Sequence, residues 1–308
     1  MKNLNNNLEE NQDENQIYQI YDRIFKRIFN MSALAIINLV NALFGTNHSS
    51  KSTITYLKTE FVGRTLDKRF ADLFLQINGI TYHLEAQMTK TKNIVLRVFE
   101  YGFYHAMENR TEDSDVLKFP EPIVIYLDTE KDIPPTSELR VDFGEQGSFI
   151  YKVENFVYQD HELRELNQKK MIILIPFQLL KLRKIIEKNP TAENFAALQD
   201  LVLRDIIGSI KANLEVGNIT EEDAEELKEL TLQLYQHIYQ HYDVLGGNND
   251  MKELLEGAMV LPGDKYRDEI SELKAEIARI QEREEAEKAK AEEEIQKLRK
   301  ELEELKSR

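Results

Sequence analysis

The sequence predicts an α/β fold in which a mixed β-sheet is flanked by helices. Apolar residues recur at helical spacing over residues 17–30, and a second helix begins at an N-cap, Ser32. Alternating segments then meet at Asn78 and Gly79, a pair of residues typical of a two-residue β-hairpin. A helical segment and a buried strand at 122–127 follow. Such a crossover helix lays a strand parallel to an earlier strand of the same sheet.

The remaining elements extend this sheet and then add helices. Strands are predicted at 53–61 and 122–127, a second hairpin at 137–157, and helices at 92–109, 191–214 and 220–242. The run from Met171 to Ile186 predicts a strand or a buried segment up to Pro176, followed by a helix. The domain prediction is a disordered leader at 1–15, an α/β core at 16–175, a helical C-terminal region at 176–262 and a charged helix at 263–308.

The charged tail carries a heptad pattern that is interrupted. Apolar a and d positions fall at Ile270, Leu273, Ile277 and Ile280, and a second set, offset by four residues, at Ile295, Leu298, Leu302 and Leu305. The segment between the two sets has almost no apolar seam, and sustained pairing usually needs at least about three to four heptads. The pattern leaves open a terminal coiled coil that forms a homodimer and a solitary charged helix.

Composition sets limits on the class of protein. The chain has 308 residues, of which 42% are hydrophobic and 31% charged, and it contains no cysteine. The absence of cysteine excludes disulfides and thiol catalysis, and it fits a cytoplasmic location. No run approaches the ~18 apolar residues of a membrane helix. A net charge of −15 argues against a general nucleic-acid coat protein, but residues 16–120 hold 13 Lys and Arg against 10 Asp and Glu.

The predicted hairpin brings two acidic residues together. In a two-residue turn, residue 77 faces residue 80, and each step outward moves one position along both strands, so Asp72 lies opposite Glu85. One face of the pair is almost wholly apolar. The other face carries Asp72, Glu85 and Gln87, and it holds no Lys or Arg. We expect His83, on this same face, to be a packing or hydrogen-bonding neighbour rather than a ligand.

This acidic pair predicts a metal site. Like charges directly across a ladder are destabilising, on a scale of roughly 0.2–1 kcal/mol per pair, and no cation offsets them on this face. Two carboxylates about 5 Å apart at their Cβ atoms, with an amide oxygen one pleat further on, form a hard oxygen site that suits Mg²⁺ or Mn²⁺. The alternative is an ordinary solvated strand face.

The core from Asp22 to about Leu127 contains several motifs that resemble those of a known family. They are YDRIFKRIF, TEF, RFADLFL, TYHLEAQ and LRVFEYGFYHA. An acidic residue, an E-x-Q on the next strand and an R-x-x-x-Y on the following helix together resemble the Rpn recombination-promoting nucleases. These are PD-(D/E)XK nuclease-like proteins associated with bacterial transposases. The resemblance covers about a third of the chain and implies a restriction-endonuclease-like core.

The resemblance also implies a function. It implies a Mg²⁺-dependent (or Mn²⁺-dependent) DNA endonuclease with little sequence preference, linked to recombination, mobile elements or phage defence. Asp72 and Glu85 would hold the metal. Gln87 stands where the wider superfamily has a lysine, so it could orient a water molecule by hydrogen bonding but would supply no positive charge.

Further residues are assigned supporting roles. Glu60, at the end of the preceding strand, is expected to hold a second ion or a water molecule, and Asp22 is a weaker candidate for the site. The cations near enough in sequence to hold phosphate are Lys26, Arg69, Lys90, Lys92 and Arg97. Tyr101 lies four residues after Arg97, which is compatible with a functional pair or with a plain helix contact.

A second hypothesis comes from the charge of the C-terminal half. Residues 121–263 hold 14 Lys and Arg against 26 Asp and Glu. Such an excess of negative charge is unsuited to a DNA groove. The alternative function is therefore a catalytically degenerate nuclease fold that acts as a protein-interaction or DNA-binding module, with the acidic half as the surface for a protein partner.

Overall fold

The computed structural model describes most of the chain up to Met259. The described residues are 24–57, 60–62, 68–70, 73–110, 115–128, 132–239 and 248–259, together with Glu276 and Arg279. Residues up to Met259 form one compact unit, and residues from Val260 onward form another. The predicted leader lies outside the described residues. Of the predicted coiled coil, only Glu276 and Arg279 are described, and both are helical.

The fold is α/β, with a six-stranded mixed sheet flanked by helices. The strands are β1 (Ile54–Tyr56), β2 (Glu60–Val62), β3 (Lys68–Phe70), β4 (Leu73–Ile77), β5 (Ile80–Gln87), β6 (Glu121–Tyr126), β7 (Thr136–Asp142) and β8 (Ser148–Val157). The main sheet has the order β1-β4-β5-β6-β8-β7, and β2 and β3 form a separate antiparallel pair. Strand β6 runs parallel to both β5 and β8, whereas β4 and β7 are antiparallel to their partners.

Helices cover the sheet and form the C-terminal part of this unit. They are α1 (residues 24–28), α2 (Ala33–Phe44), α3 (Ile94–Glu108), α4 (Leu163–Gln168), α5 (Leu179–Lys188), α6 (Ala192–Asp200), α7 (Ile207–Glu215), α8 (Glu221–Tyr239) and α9 (Asn248–Ala258). A π-helical segment, Leu201–Ile206, joins α6 to α7. None of the helices within the described ranges combines the length and the apolar character needed to cross a membrane.

The β4–β5 hairpin has the predicted register. Ile77 lies opposite Ile80, and the pairing continues to Leu73 opposite Leu84. The turn residues Asn78 and Gly79 have φ angles of 51° and 82°, the left-handed conformation that a type I′ turn requires at both positions. The turn therefore matches the twist of the two strands. It also fixes the strand register, and the register sets which side chains share a face.

Both faces of the central strands are covered. On one face Tyr82 packs against Phe44 of α2, with ring centroids 4.7 Å apart. On the other face α3 lies over β6 and β8, where Val98 belongs to an apolar cluster with Val124 and Val153. Because β4, β5 and β6 are buried on both sides, a polar side chain on these strands must find its partners within the protein.

Two segments differ in detail from their predictions. The single strand predicted at 53–61 is divided into β1, which pairs with β4, and β2, which pairs with β3. The run whose conformation the sequence left open is a buried 3₁₀ helix, Ile172–Gln178, and it includes Pro176. Proline has no N–H group to donate to a ladder, which disfavours a central strand there.

The acidic start of α8 binds the N-terminal helices. Asp223, which is buried, accepts hydrogen bonds from the backbone N–H and the hydroxyl of Ser32, at 2.8 and 2.5 Å, and from the N–H of Thr220 at 2.9 Å. Arg27 donates to both carboxylate oxygens of Glu226, at 2.5 and 2.9 Å. These contacts join the start of the α/β core to the helical C-terminal region.

We predict that Asp223→Ala lowers the free energy of unfolding by about 2–4 kcal/mol. Loss of a capping side chain costs about 0.5–2 kcal/mol, and each buried donor left without a partner costs about 1–3 kcal/mol. Urea denaturation followed by circular dichroism measures the change. The control is Glu222→Ala, an exposed neighbour in the same helical turn, which should change stability by less than about 0.5 kcal/mol. Equal effects of the two variants would contradict the prediction.

Candidate active site around Glu85

The candidate site is centred on Glu85, near the end of strand β5. Only 3% of the surface of Glu85 is exposed to solvent, although a carboxylate is normally found in water. It shares a strand face with His83 and Gln87, and this face lies against α3. Val124 of β6 is its neighbour in the parallel ladder. A charge in such a position is stable only with specific partners.

Arg97 of α3 is the cationic partner of this carboxylate. Its Nη2 atom donates to Oε1 of Glu85 at 2.5 Å, and its side chain is 34% exposed. Helix α3 begins directly after Asn93, which adopts a left-handed conformation at φ 62°, and Arg97 lies in its first turn. A cation near a helix N-terminus is disfavoured by the helix dipole, so the ion pair offsets an unfavourable position.

The second oxygen of Glu85 has a different environment. Oε2 is buried and has no hydrogen-bond partner within the described part of the chain. It lies 3.6 Å from Nε2 of His83, which is too long for a hydrogen bond. Both ring nitrogens of His83 are likewise buried without a hydrogen-bond partner among the described residues. With Nε of Arg97, which is also buried without a hydrogen-bond partner among the described residues, four such polar atoms cluster at this ion pair.

Aromatic rings hold His83 in place. The ring of His83 stacks on Phe74, its cross-strand partner, with centroids 4.2 Å apart and planes 12° apart. His105 of α3 also stacks on Phe74, at a centroid distance of 5.0 Å. Burial lowers the pKa of His105, and the nearby His83 lowers it further. Tyr101, which is also buried, lies near His83 with a centroid distance of 6.0 Å.

Gln87 borders the same carboxylate but is held by other groups. Its Nε2 atom lies 3.5 Å from Oε1 of Glu85 and donates to the carbonyl of Ala86 at 2.7 Å. Its Oε1 atom accepts from the hydroxyl of Thr91 at 2.8 Å. Tyr126 of β6 lies close to Arg97, whose charge partly opposes the burial that raises the pKa of the tyrosine. The site thus extends from His83 to the loop before α3.

The other predicted residues are placed as follows. Lys26, Lys90 and Lys92 are exposed, and Nζ of Lys90 donates to the carbonyl of Asp132 at 3.3 Å. Glu60 lies opposite Phe70, and Arg69 opposite Phe61, in the β2–β3 pair, but their side chains are not described. Asp22 and Asp72 lie outside the described residues. The structure therefore brings Gln87 and Arg97 to Glu85, and Tyr101 to the neighbouring His83. The predicted acidic partner of Glu85, Asp72, is not among the described residues.

The site offers a divalent cation one free oxygen among the described residues. Oε2 of Glu85 is a hard oxygen donor with no competing hydrogen bond among the described residues, which fits a cation. No group of three or more His, Asp and Glu side chains suited to a metal occurs in the part of the chain that the structure describes. A complete site would need at least one ligand from beyond these residues, such as the predicted ligand Asp72.

His83 is the neighbour of Glu85 for which the sequence predicted a packing role, and its ring does stack on Phe74. The signal was present, because His83 and Glu85 are two residues apart on one strand and therefore share a face. Periodicity could not show that the ring nitrogens of His83 and Oε2 of Glu85 would be buried without hydrogen-bond partners among the described residues.

Comparison of the chain with family models, with curated proteins and with solved structures gives no match.

We predict that Glu85 and Arg97 are energetically coupled. Arg97→Met should lower the free energy of unfolding by about 1–3 kcal/mol, less than the ~3–5 kcal/mol of a fully buried pair because Arg97 is partly exposed to solvent. Adding Glu85→Gln to Arg97→Met should restore part of this loss. A double-mutant cycle from urea denaturation measures the coupling. Arg110→Met, at an exposed position after α3, is the control, and additive effects of the paired substitutions would contradict the coupling.

Proposed function

We propose that the chain is a metal-dependent DNA endonuclease with little sequence preference, built on a PD-(D/E)XK core. The observation that carries the proposal is Oε2 of Glu85, a buried carboxylate oxygen with no hydrogen-bond partner among the described residues. Placed on a central strand, this oxygen is costly unless it has a further role, such as binding a cation.

The hairpin register supports a second acidic ligand. Leu73 and Leu84 are the last described pair of the β4–β5 ladder. Continuing the ladder by one pair would put Asp72 opposite Glu85, with Cβ atoms about 4.5–5.5 Å apart. The sequence resemblance to the Rpn nucleases assigns these same two residues to the metal. Two acidic ligands of this kind suit Mg²⁺ or Mn²⁺.

The side chains of the site have distinct roles in this proposal. A bound divalent cation lowers the pKa of a water ligand and polarises a phosphate group. Glu85 offers Oε2 to the cation, while Arg97 holds Oε1 and keeps the carboxylate oriented. Gln87, which lies beside Oε1, hydrogen-bonds to a water molecule or phosphate at the edge of the site. The exposed Lys90 and Lys92 attract the DNA backbone without regard to sequence.

The proposal includes partners and location. DNA is the substrate, and a homodimer through the C-terminal helices would allow two sites to act on the two strands. A cytoplasmic location agrees with a sequence that has no cysteine. A link to recombination, mobile elements or phage defence follows from the resemblance alone.

A non-catalytic protein-interaction or DNA-binding module is the second candidate function. The ion pair favours it, because Arg97 already neutralises Glu85 and would oppose a second cation at short range. The negative charge of residues 121–263 favours a protein partner over DNA. Activity measurements separate the two functions.

We predict that Asp72→Cys combined with Glu85→Cys forms an intramolecular disulfide. Directly paired strand residues have Cβ atoms close to the separation that a disulfide needs, and the chain has no other cysteine to compete. Oxidation with glutathione followed by intact mass analysis under non-reducing conditions detects the bond.

The control for this cross-link combines Asp72→Cys with Leu84→Cys. Leu84 faces the opposite side of the sheet from Glu85, so its thiol should remain free. Cross-linking in the control but not in the test pair would place Asp72 on the wrong face and remove the second ligand from the proposal.

We predict that the purified protein nicks supercoiled plasmid with Mg²⁺ or Mn²⁺ and that excess EDTA stops the reaction. Glu85→Gln should reduce the rate at least about 100-fold, because loss even of an outer-shell partner of a metal costs about 10–100-fold. Conversion of supercoiled to nicked DNA on agarose gels measures the rate. Glu121→Gln, an exposed substitution on β6, is the control and should leave the rate unchanged. A wild-type protein that never nicks DNA across metals and salt concentrations would favour the non-catalytic module.

A further inference from the structure

We infer that His83 binds the same cation as Glu85, so that the site selects a first-row transition-metal ion such as Mn²⁺ over Mg²⁺. This inference rests on the proposed metal site and specifies its ligands. The sequence pattern alone favoured a packing role for His83. The burial of its ring nitrogens, which have no hydrogen-bond partner among the described residues, favours a ligand role.

The distance between the two side chains fits a shared ion. Nε2 of His83 lies 3.6 Å from Oε2 of Glu85. Two ligand atoms that are each about 2.1 Å from one ion lie roughly 3.0–3.6 Å apart for angles between 90° and 120°. The observed separation lies at the upper end of this range. Two atoms at this separation can contact one cation at ordinary ligand distances.

The hydrogen-bonding state of the two atoms points to a ligand. Both are buried, and neither has a hydrogen-bond partner in the described part of the chain. A buried polar atom without a partner costs about 1–3 kcal/mol, and two such atoms facing each other double the cost. A cation held between the lone pairs of an imidazole nitrogen and a carboxylate oxygen satisfies both atoms at once.

Packing pre-orients the imidazole for this role. The ring of His83 is 0% exposed and stacks on Phe74 with planes 12° apart. The stack fixes the ring plane, although Nδ1 has no described hydrogen-bond partner that would do so. When Nε2 binds the ion, the proton of the neutral ring lies on Nδ1.

The ligand set determines which metals bind well. Imidazole nitrogen is a poor ligand for Mg²⁺, which takes oxygen. Mn²⁺ accepts a nitrogen ligand more readily than Mg²⁺ does, and Co²⁺ and Zn²⁺ bind it more tightly than Mn²⁺. An imidazole binds a metal as a neutral ligand, so His83 adds no negative charge to the site. Arg97 already neutralises part of the charge of Glu85 there. The site thus combines hard oxygen with a nitrogen donor.

The experiment detects the nitrogen ligand directly in Mn²⁺-loaded full-length protein. Electron spin echo envelope modulation of bound Mn²⁺ should show coupling to ¹⁴N, and uniform labelling of histidine with ¹⁵N should replace that signal. His83→Phe keeps an aromatic ring for the stack on Phe74 and should abolish the ¹⁴N coupling. Calorimetry should show Mn²⁺ binding weakened at least about 10-fold, with a much smaller change for Mg²⁺.

His105→Phe is the matched control. His105 is a second buried histidine that stacks on the same Phe74 ring, but Glu85 is not among its described contacts. The variant should therefore keep both the ¹⁴N coupling and the Mn²⁺ affinity of the wild type. Loss of the signal in both variants would indicate a packing effect and overturn the inference.

The remaining outcomes are decisive as well. Mn²⁺ bound to wild-type protein without ¹⁴N coupling, or no Mn²⁺ bound at millimolar concentration, overturns the role of His83. A ¹⁴N signal that depends on His83 in a protein that never nicks DNA supports the site and contradicts the nuclease. If His83→Phe does not fold, His83→Gln replaces it, and the ¹⁵N-labelled wild type still reports whether histidine binds the ion.

Discussion

The burial of the Glu85 carboxylate on a central strand is the constraint on which the candidate site depends. Removing a carboxylate from water costs several kcal/mol unless a charge and hydrogen bonds compensate it. Arg97 supplies that charge to one oxygen. It does so because α3 begins directly after the loop that follows β5, so that its first turn lies over the end of that strand. The same arrangement leaves the other oxygen next to His83.

Two-sided coverage of the sheet makes this site unusual. A strand with helices on both faces normally carries apolar side chains, and Tyr82, Leu84 and Ala86 follow this rule on one face of β5. The face toward α3 instead holds a histidine and a glutamate, with Phe74 stacked on the histidine ring. Polar groups retained in such a place at a cost in stability are typical of sites that bind or react.

The acidic helical region is less available to a partner than its charge suggests. Asp223 is buried and receives three hydrogen bonds from Ser32 and Thr220, and Glu226 forms a bidentate ion pair with Arg27. These carboxylates stabilise the attachment of α8 to the N-terminal helices. The negative charge of Asp223 and Glu226 therefore stabilises the fold. It is weaker support for a protein partner that binds the acidic region.

The sequence by itself determined the features that depend on neighbours along the chain. Asn78 and Gly79 require a type I′ turn, and that turn fixes the strand register and the face on which Glu85 lies. The crossover before β6 likewise followed from helical and strand periodicity. Tertiary structure alone decided that Arg97 reaches Glu85 and that His83 is buried without a hydrogen-bond partner among the described residues. These contacts depend on where α3 packs across the sheet, and packing between distant segments leaves no periodic signal in the sequence.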